Sequence, residues 1–189
     1  GGTSTTVVYA ATGVANTLVA TGGSGILKTI NGGVTWSVMG ESVFKGAHIS
    51  SIVVDPTDAN TVFVGVAWYD GQTSQPGVYE STDGGVTWTD IMQPGVNMFL
   101  PGLTQTLAQA GVTQLASVTS LVIDPFSPPG SDRLIAGIGN IGETGAGVAV
   151  KSAGVWFFAP TGQGSVWTLE EGGNNPNINP PLANDTFTN

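Results

Sequence analysis

Carboxylates are the residues of this chain with the widest choice of chemistry. Two of them flanking a glycosidic bond can hydrolyse it, one as acid and the other as base or nucleophile. Five acidic residues are candidates for such a pair: Asp55, Asp70, Glu80, Asp124 and Glu143. Asp55 and Asp124 each precede a proline at the same place in a repeat, which favours a role in the turn. The sequence therefore assigns no catalytic residue.

Other catalytic and metal-binding chemistries have less support. His48 is the only histidine and stands directly before a predicted strand, without a nucleophile-elbow pattern elsewhere, so a packing or capping role is favoured. The chain has no cysteine, which excludes disulfides and thiolate metal sites. No spacing of acidic residues matches a calcium loop. We predict no metal site and no cofactor.

Three aromatic residues are candidates for stacking on sugar rings. Trp68 and Tyr69 end a predicted strand before a polar loop, and Trp156 begins an aromatic run. The alternative, packing between sheets, is the favoured interpretation of all three.

The charge of the chain limits its partners. Its net charge is −9, and its only basic residues are Lys28, Lys45, Lys151 and Arg133. Nucleic-acid binding requires clustered cations, so we expect none, and no apolar run reaches the length of a membrane span. Acidity, few lysines and the lack of cysteine fit an exported bacterial protein, extracellular or at the cell surface. Because the chain begins Gly1-Gly2-Thr3 without methionine, we expect a processed chain or a fragment.

A glycine-rich motif ending in tryptophan occurs twice. Residues 81–88 read Ser-Thr-Asp-Gly-Gly-Val-Thr-Trp, and residues 29–36 read Thr-Ile-Asn-Gly-Gly-Val-Thr-Trp. We call them the first (29–36) and second (81–88) Trp hairpins. Their tryptophans are about 50 residues apart, a period typical of stacked repeats such as propeller blades.

The residue types of the second Trp hairpin suit a tight turn. Asp83 can accept hydrogen bonds from backbone N–H groups, and Gly85 permits a positive φ. Ser81 and Thr87 can bond across the base of the hairpin, while Trp88 offers a large apolar surface to bury. The structural positions are Thr29, Asn31, Gly33, Thr35 and Trp36, and Ser81, Asp83, Gly85, Thr87 and Trp88. None of these roles requires a substrate.

Three stretches of the chain can be superposed as strand–turn–strand units. With 29 glycines and short Val/Ile runs, they predict an all-β fold with blades at about 6–38, 48–91 and 118–169 within a domain of residues 1–170. In the first unit, residues 6–10 are predicted as the first strand and residues 15–20 as the second. Residues 92–117 form an insertion in which Leu103, Leu107 and Ala110 predict one short helix. Residues 171–189 are an Asn/Pro-rich linker or tail.

The motif resembles the Asp-box (bacterial neuraminidase) repeat of sialidases, sortilin-type receptors, xyloglucanases and photosystem assembly factors. The resemblance implies a β-propeller with four-stranded antiparallel blades, in which the motif joins the third and fourth strands away from the active face. About three blades are fewer than the four to eight that close a propeller. We therefore expect completion by a longer chain, or self-association.

The same resemblance bears on activity. Sialidases need an arginine triad, and this chain has only Arg133. Xyloglucanases place a catalytic Asp in a Thr-Asp-Ile-Gly-Gly segment, whereas residues 21–25 read Thr-Gly-Gly-Ser-Gly. The sequence thus favours a non-catalytic binding or structural module whose loops contact protein or glycan. The alternative is a fragment of a xyloglucanase-like polysaccharide hydrolase whose catalytic acids lie outside it or are incomplete.

Overall fold

The fold is almost entirely β. The computed structural model describes residues 6–13, 22–69, 76–92, 117–128, 131–139, 154–161 and 164–171. In these ranges the secondary structure is strand except for one short helix, and no helix has the length and hydropathy to cross a membrane. The helix predicted within 92–117 falls on residues that lie outside this description, as do residues 172–189.

Three antiparallel sheets follow one another along the chain. Sheet 1 consists of β1 (Val8–Ala11), β2 (Ile26–Thr29) and β3 (Ser37–Met39). Sheet 2 consists of β4 (Ala47–Val54), β5 (Val62–Tyr69), β6 (Gly77–Ser81) and β7 (Thr89–Asp90). Sheet 3 consists of β8 (Ser117–Ile123), β9 (Leu134–Gly139), β10 (Gly154–Thr161) and β11 (Gly164–Glu171). In each sheet, strands adjacent in sequence are paired, so each is a meander, and together they form part of a β-propeller, which confirms the predicted fold class.

The middle sheet is covered on both faces. Successive side chains of a strand point to opposite faces, and all of Val62–Ala67 on β5 are buried. Val62, Val64 and Val66 face a first core between sheets 1 and 2, whereas Phe63 faces a second core between sheets 2 and 3. This double burial explains why β5 is an apolar run and lacks the alternation of a half-exposed strand.

Glycine allows sheet 3 to approach sheet 2 closely. A Cβ atom on Gly65 of β5 would lie 2.8 Å from a methyl group of Val118 on β8. Val118 is fully buried in the second core. Any larger residue at position 65 would therefore push β8 away from the middle sheet.

Polar contacts also join sheets 1 and 2. The Lys28 ammonium donates to the carbonyl oxygen of Gly84 at 2.8 Å, and the Tyr9 hydroxyl donates to the carbonyl oxygen of Ala59 at 2.9 Å. Both acceptors are in turns of sheet 2. No spacing in the sequence marks Lys28 or Tyr9 for this role, because the contacts form between separate repeats.

A short helix, α1 (Glu41–Phe44), connects sheet 1 to sheet 2. It begins after Gly40, which has φ of 63°, and a Cβ there would lie 2.7 Å from the Phe44 ring and 2.8 Å from Nε1 of Trp88. Phe44 is fully buried and meets the rings of Tyr79 and Trp88 edge-on at 5.3 and 4.9 Å. The helix therefore serves to bring Phe44 into the first core.

The structure corrects the alignment of the first repeat. Val8 of β1 pairs with Thr29 of β2, just as Val62 of β5 pairs with Ser81 of β6. Because Thr29 and Ser81 open the two Trp hairpins, β1 corresponds to the second strand of sheet 2. The prediction that residues 6–10 form the first strand of their unit is therefore wrong. Residues 15–20 lie outside the described ranges.

Candidate functional site

The three sheets have two chemically different ends. At one end, which we call the turn end, are the β4–β5 and β8–β9 turns and both Trp hairpins. At the opposite end, the loop end, the chain leaves β1, β5, β7 and β9 and returns to β2, β6, β8 and β10. Three of these connections, those that follow β1, β7 and β9, are longer than any connection at the turn end.

Asp83 organises the second Trp hairpin. Its carboxylate accepts from the backbone N–H groups of Val86 at 3.0 Å and Thr87 at 2.9 Å, and from the Thr87 hydroxyl at 2.6 Å. The Ser81 hydroxyl donates to Asp83 at 2.8 Å and accepts from the Gly85 N–H at 2.8 Å. Gly84 and Gly85 have φ of 75° and 93°, which L side chains rarely adopt. The side chains of Ser81, Asp83 and Thr87 thus serve the turn.

The first Trp hairpin repeats the network with a neutral centre. Asn31 Oδ1 accepts from the Thr35 N–H at 2.9 Å and from the Thr29 hydroxyl at 2.8 Å, while Thr29 accepts from the Gly33 N–H at 3.0 Å. The amide Nδ2 of Asn31 donates to the Thr35 hydroxyl at 2.9 Å. The indole N–H groups of Trp36 and Trp88 donate to the carbonyls of Gly33 and Gly85. Asparagine therefore preserves the geometry and removes the charge.

The charge at position 83 makes part of the stability depend on pH. The hydroxyl and backbone N–H of Thr87 lower the pKa of Asp83 to about 2, from an unfolded value of about 3.9. A lowered pKa means that the stabilisation is fully present above the unfolded pKa and is lost as pH falls through about 2.

We expect Asp83→Asn to lower the melting temperature at pH 6, because the charged acceptor becomes neutral. The deficit should shrink between about pH 4 and pH 2 as the wild-type carboxylate protonates. Thermal melts across this range check the prediction, with Asn31→Asp as the matched gain of charge in the first Trp hairpin. A deficit that stays constant over this range would contradict it.

The aspartates before proline close turns as the sequence predicts. Asp55 accepts from the N–H of Thr57 at 2.6 Å and from its hydroxyl at 2.8 Å. Asp124 accepts from the Phe126 N–H at 2.9 Å and forms an ion pair of 2.6 Å with Arg133. Both carboxylates therefore hold turns at the turn end of the sheets.

Four carboxylates interact at the turn end: Asp55, Asp58, Glu80 and Asp132. Burial, followed by the charges of Asp55 and Asp58, raises the pKa of Asp132, which is 8% exposed. Burial and then the charge of Asp132 raise the pKa of Glu80. Asp58 differs, because the N–H of Asn60 chiefly lowers its pKa. In the described residues, no three His, Cys, Asp or Glu side chains are placed to hold a metal ion.

The remaining acidic candidates do not complete a pair here. Asp70 and Glu143 lie outside the described residues. Glu80 is half-buried on β6 between sheets, at the turn end. No two of the five proposed carboxylates are therefore seen facing a common cleft in the described part of the chain.

The structure separates the three aromatic candidates. Trp156 is 1% exposed and lies in the second core. The favoured interpretation, packing between sheets, is therefore confirmed for Trp156, and the alternative of a sugar contact is wrong. Trp68 and Tyr69 end β5 at the loop end, where they pair with His48 and Ala47 of β4. Their side chains are not described, so a ligand role for them stays a prediction.

His48 is a core residue of sheet 2. It is fully buried on β4, and its neighbours in the strand, Ala47 and Ile49, belong to the first core. This position agrees with packing and offers no surface for a Ser-His-Asp triad.

Comparisons with known proteins concern the fold. No protein-family model matches the chain, and no curated protein does either. Among solved structures, it is similar to the Niastella koreensis GH74 (NkGH74) enzyme, with a TM-score of 0.50 and 22% identity over 88% of this chain and 20% of that one. An ancestral GH74 enzyme aligns with a TM-score of 0.44 and 19% identity, over 89% of this chain and 18% of its own. The chain thus spans about one fifth of the first structure's length, and the first likeness agrees with a partial propeller.

Proposed function

We propose that this chain is a non-catalytic section of a glycan-binding β-propeller in an exported or cell-surface protein. The observation that carries the proposal is the division between the two ends of the sheets. The carboxylates of the turn end are engaged in turns or lie between sheets, whereas the longer connections leave from the loop end. Ligand contact is therefore assigned to the loop end.

Two features favour a glycan as the ligand. Trp68 and Tyr69 are adjacent at the loop end, and aromatic rings offer the flat apolar surfaces on which sugar rings stack. With a net charge of −9, the chain favours neutral polymers over polyanions. Neutral plant-type polysaccharides such as xyloglucan and other β-glucans match both features.

A second candidate function is a part of a polysaccharide hydrolase. It is favoured by the likeness of fold to a GH74 enzyme and by the resemblance of the repeats to those of xyloglucanases. In this case, the catalytic carboxylates come from parts of the protein other than the described sheets. The two candidates share the loop end as the glycan surface and differ in whether bond cleavage accompanies binding.

We expect the 189-residue chain to bind xyloglucan or a β-glucan in calorimetry and to release no reducing sugar. Replacing both Trp68 and Tyr69 with alanine should weaken binding at least tenfold, because the stacking surfaces are lost. Phe126→Ala is the matched control, since Phe126 is 85% exposed at the turn end and its loss should leave affinity unchanged.

Two results would contradict the proposal. Release of reducing sugar by the purified chain would establish the hydrolase alternative. Absence of binding to every β-glucan tested, by a chain whose circular dichroism shows β-structure, would exclude glycan recognition by this section.

A further inference from the structure

Within the described part of the chain, two sheet faces have no sheet packed on them, although the equivalent faces of the other sheets do. We call the side of a sheet that faces the preceding repeat its backward face, and the opposite side its forward face. Sheet 2 has both faces covered. The backward face of sheet 1 carries Val8, Leu27, Trp36 and Val38, and the forward face of sheet 3 carries Val122, Ile135, Val155 and Phe157.

Equivalent positions show what the backward face of sheet 1 lacks. Val8, Val62 and Leu134 start corresponding strands, yet Val62 and Leu134 are fully buried and Val8 is 39% exposed. Trp88 packs on Phe44, which belongs to the helix that connects sheet 1 to sheet 2. The equivalent Trp36 is 44% exposed. Val38 beside it is 52% exposed. The backward face of sheet 1 therefore lacks a preceding sheet, whereas sheet 2 is preceded by sheet 1 and sheet 3 by sheet 2.

The forward face of sheet 3 lacks the opposite partner. Ile135 corresponds to Phe63 of sheet 2 and to Tyr9 of sheet 1, because each follows the first residue of the equivalent strand. Phe63 is 1% exposed and Tyr9 9%, while Ile135 is 41% exposed, with Val155 at 41% and Val122 at 55% beside it. Apolar surface of this kind is stabilised by contact with another sheet.

We propose that the forward face of sheet 3 in one copy of this chain docks on the backward face of sheet 1 in a second copy. Each face presents the residues that the repeat uses in its own interfaces, so the contact continues the stacking already present between sheets 1, 2 and 3. The two docking faces differ, and the association is therefore head-to-tail and heterologous. The assembly closes into a ring if the rotations between successive copies add up to a full turn, and otherwise grows as an open filament.

The test is the mass of the 189-residue chain in solution, followed from micromolar to millimolar concentration by sedimentation. We expect multiples of 19.1 kDa at the higher concentrations. Val38→Glu and Ile135→Glu should each give only the 19.1 kDa species, because each charge falls within one docking face. Val86→Glu is the control, since Val86 is 68% exposed outside both faces and its replacement should leave association intact.

Mixing the two variants separates this arrangement from others. A Val38→Glu copy retains an intact sheet 3 and an Ile135→Glu copy retains an intact sheet 1, so an equimolar mixture should form a dimer through one interface. A chain that stays at 19.1 kDa at every concentration would overturn the proposal and leave the faces to sheets of a longer chain. Loss of association in one variant alone would overturn the head-to-tail geometry. Circular dichroism of each variant shows that it remains folded.

Discussion

Replacing Trp156 with alanine is expected to lower the free energy of unfolding by about 3–5 kcal/mol. Trp156 is 1% exposed in the second core, where β10 packs against the middle sheet together with Phe158 and Trp167. Removing the indole leaves a cavity that a close-packed interior cannot refill. The same change should have no separate effect on glycan affinity, because a ring buried between sheets has no surface for a sugar.

Chemical denaturation at micromolar concentration measures the loss, and Val155→Ala is the matched control. Val155 precedes Trp156 on the same strand but is 41% exposed on the opposite face, so its replacement should cost about 0.5–1 kcal/mol. If Trp156→Ala leaves stability unchanged and weakens glycan binding, Trp156 is a ligand contact and the second core is wrongly assigned.

The two Trp hairpins should respond differently to loss of their tryptophans. We expect Trp88→Ala to cost about 2–4 kcal/mol, because Trp88 packs on Phe44 at 4.9 Å and its indole N–H closes the hairpin at 2.9 Å. Trp36→Ala should cost about 1 kcal/mol or less, since Trp36 makes the equivalent hydrogen bond but is 44% exposed. The difference between the two losses of unfolding free energy measures how much the contact of Trp88 with the preceding repeat stabilises the protein.

These two variants form a matched pair because both indoles donate to the equivalent glycine carbonyl in closely similar hairpins. Both should be measured at micromolar concentration, so that the proposed association through Trp36 does not contribute. Equal losses would mean that the motif stabilises only its own hairpin. In that case, packing of Trp88 between repeats would carry no measurable free energy.

The hairpin network itself could be derived from residue types. A carboxylate or carboxamide followed by two glycines and a threonine specifies a local turn, because the donors and acceptors lie within a few residues of one another. The structure places Asp83, Ser81 and Thr87 in this arrangement and repeats it around Asn31. The turns at Asp55 and Asp124 follow for the same reason.

Pairing of the first sheet could not be derived in this way. Residues 6–10 have strand character, but that character does not say which neighbour the strand will pair with. The position of β1 in the repeat follows from its pairing register with β2. That register is the one that β5 has with β6, so β1 is the counterpart of β5. The helix after Gly40 was also missed, because four residues carry too short a pattern to distinguish a helix from a loop.

By itself, the sequence determined the all-β class, the repeat and the chemistry of its turns, since these depend on hydrogen bonds and periodicities within a few residues. Only the tertiary structure decided that Trp156 is buried, that Phe44 packs on Trp88, and that Lys28 binds Gly84. It also decided which sheet faces are covered. The physical reason is that these contacts join residues of different repeats, whose separation in space follows from the stacking of whole sheets.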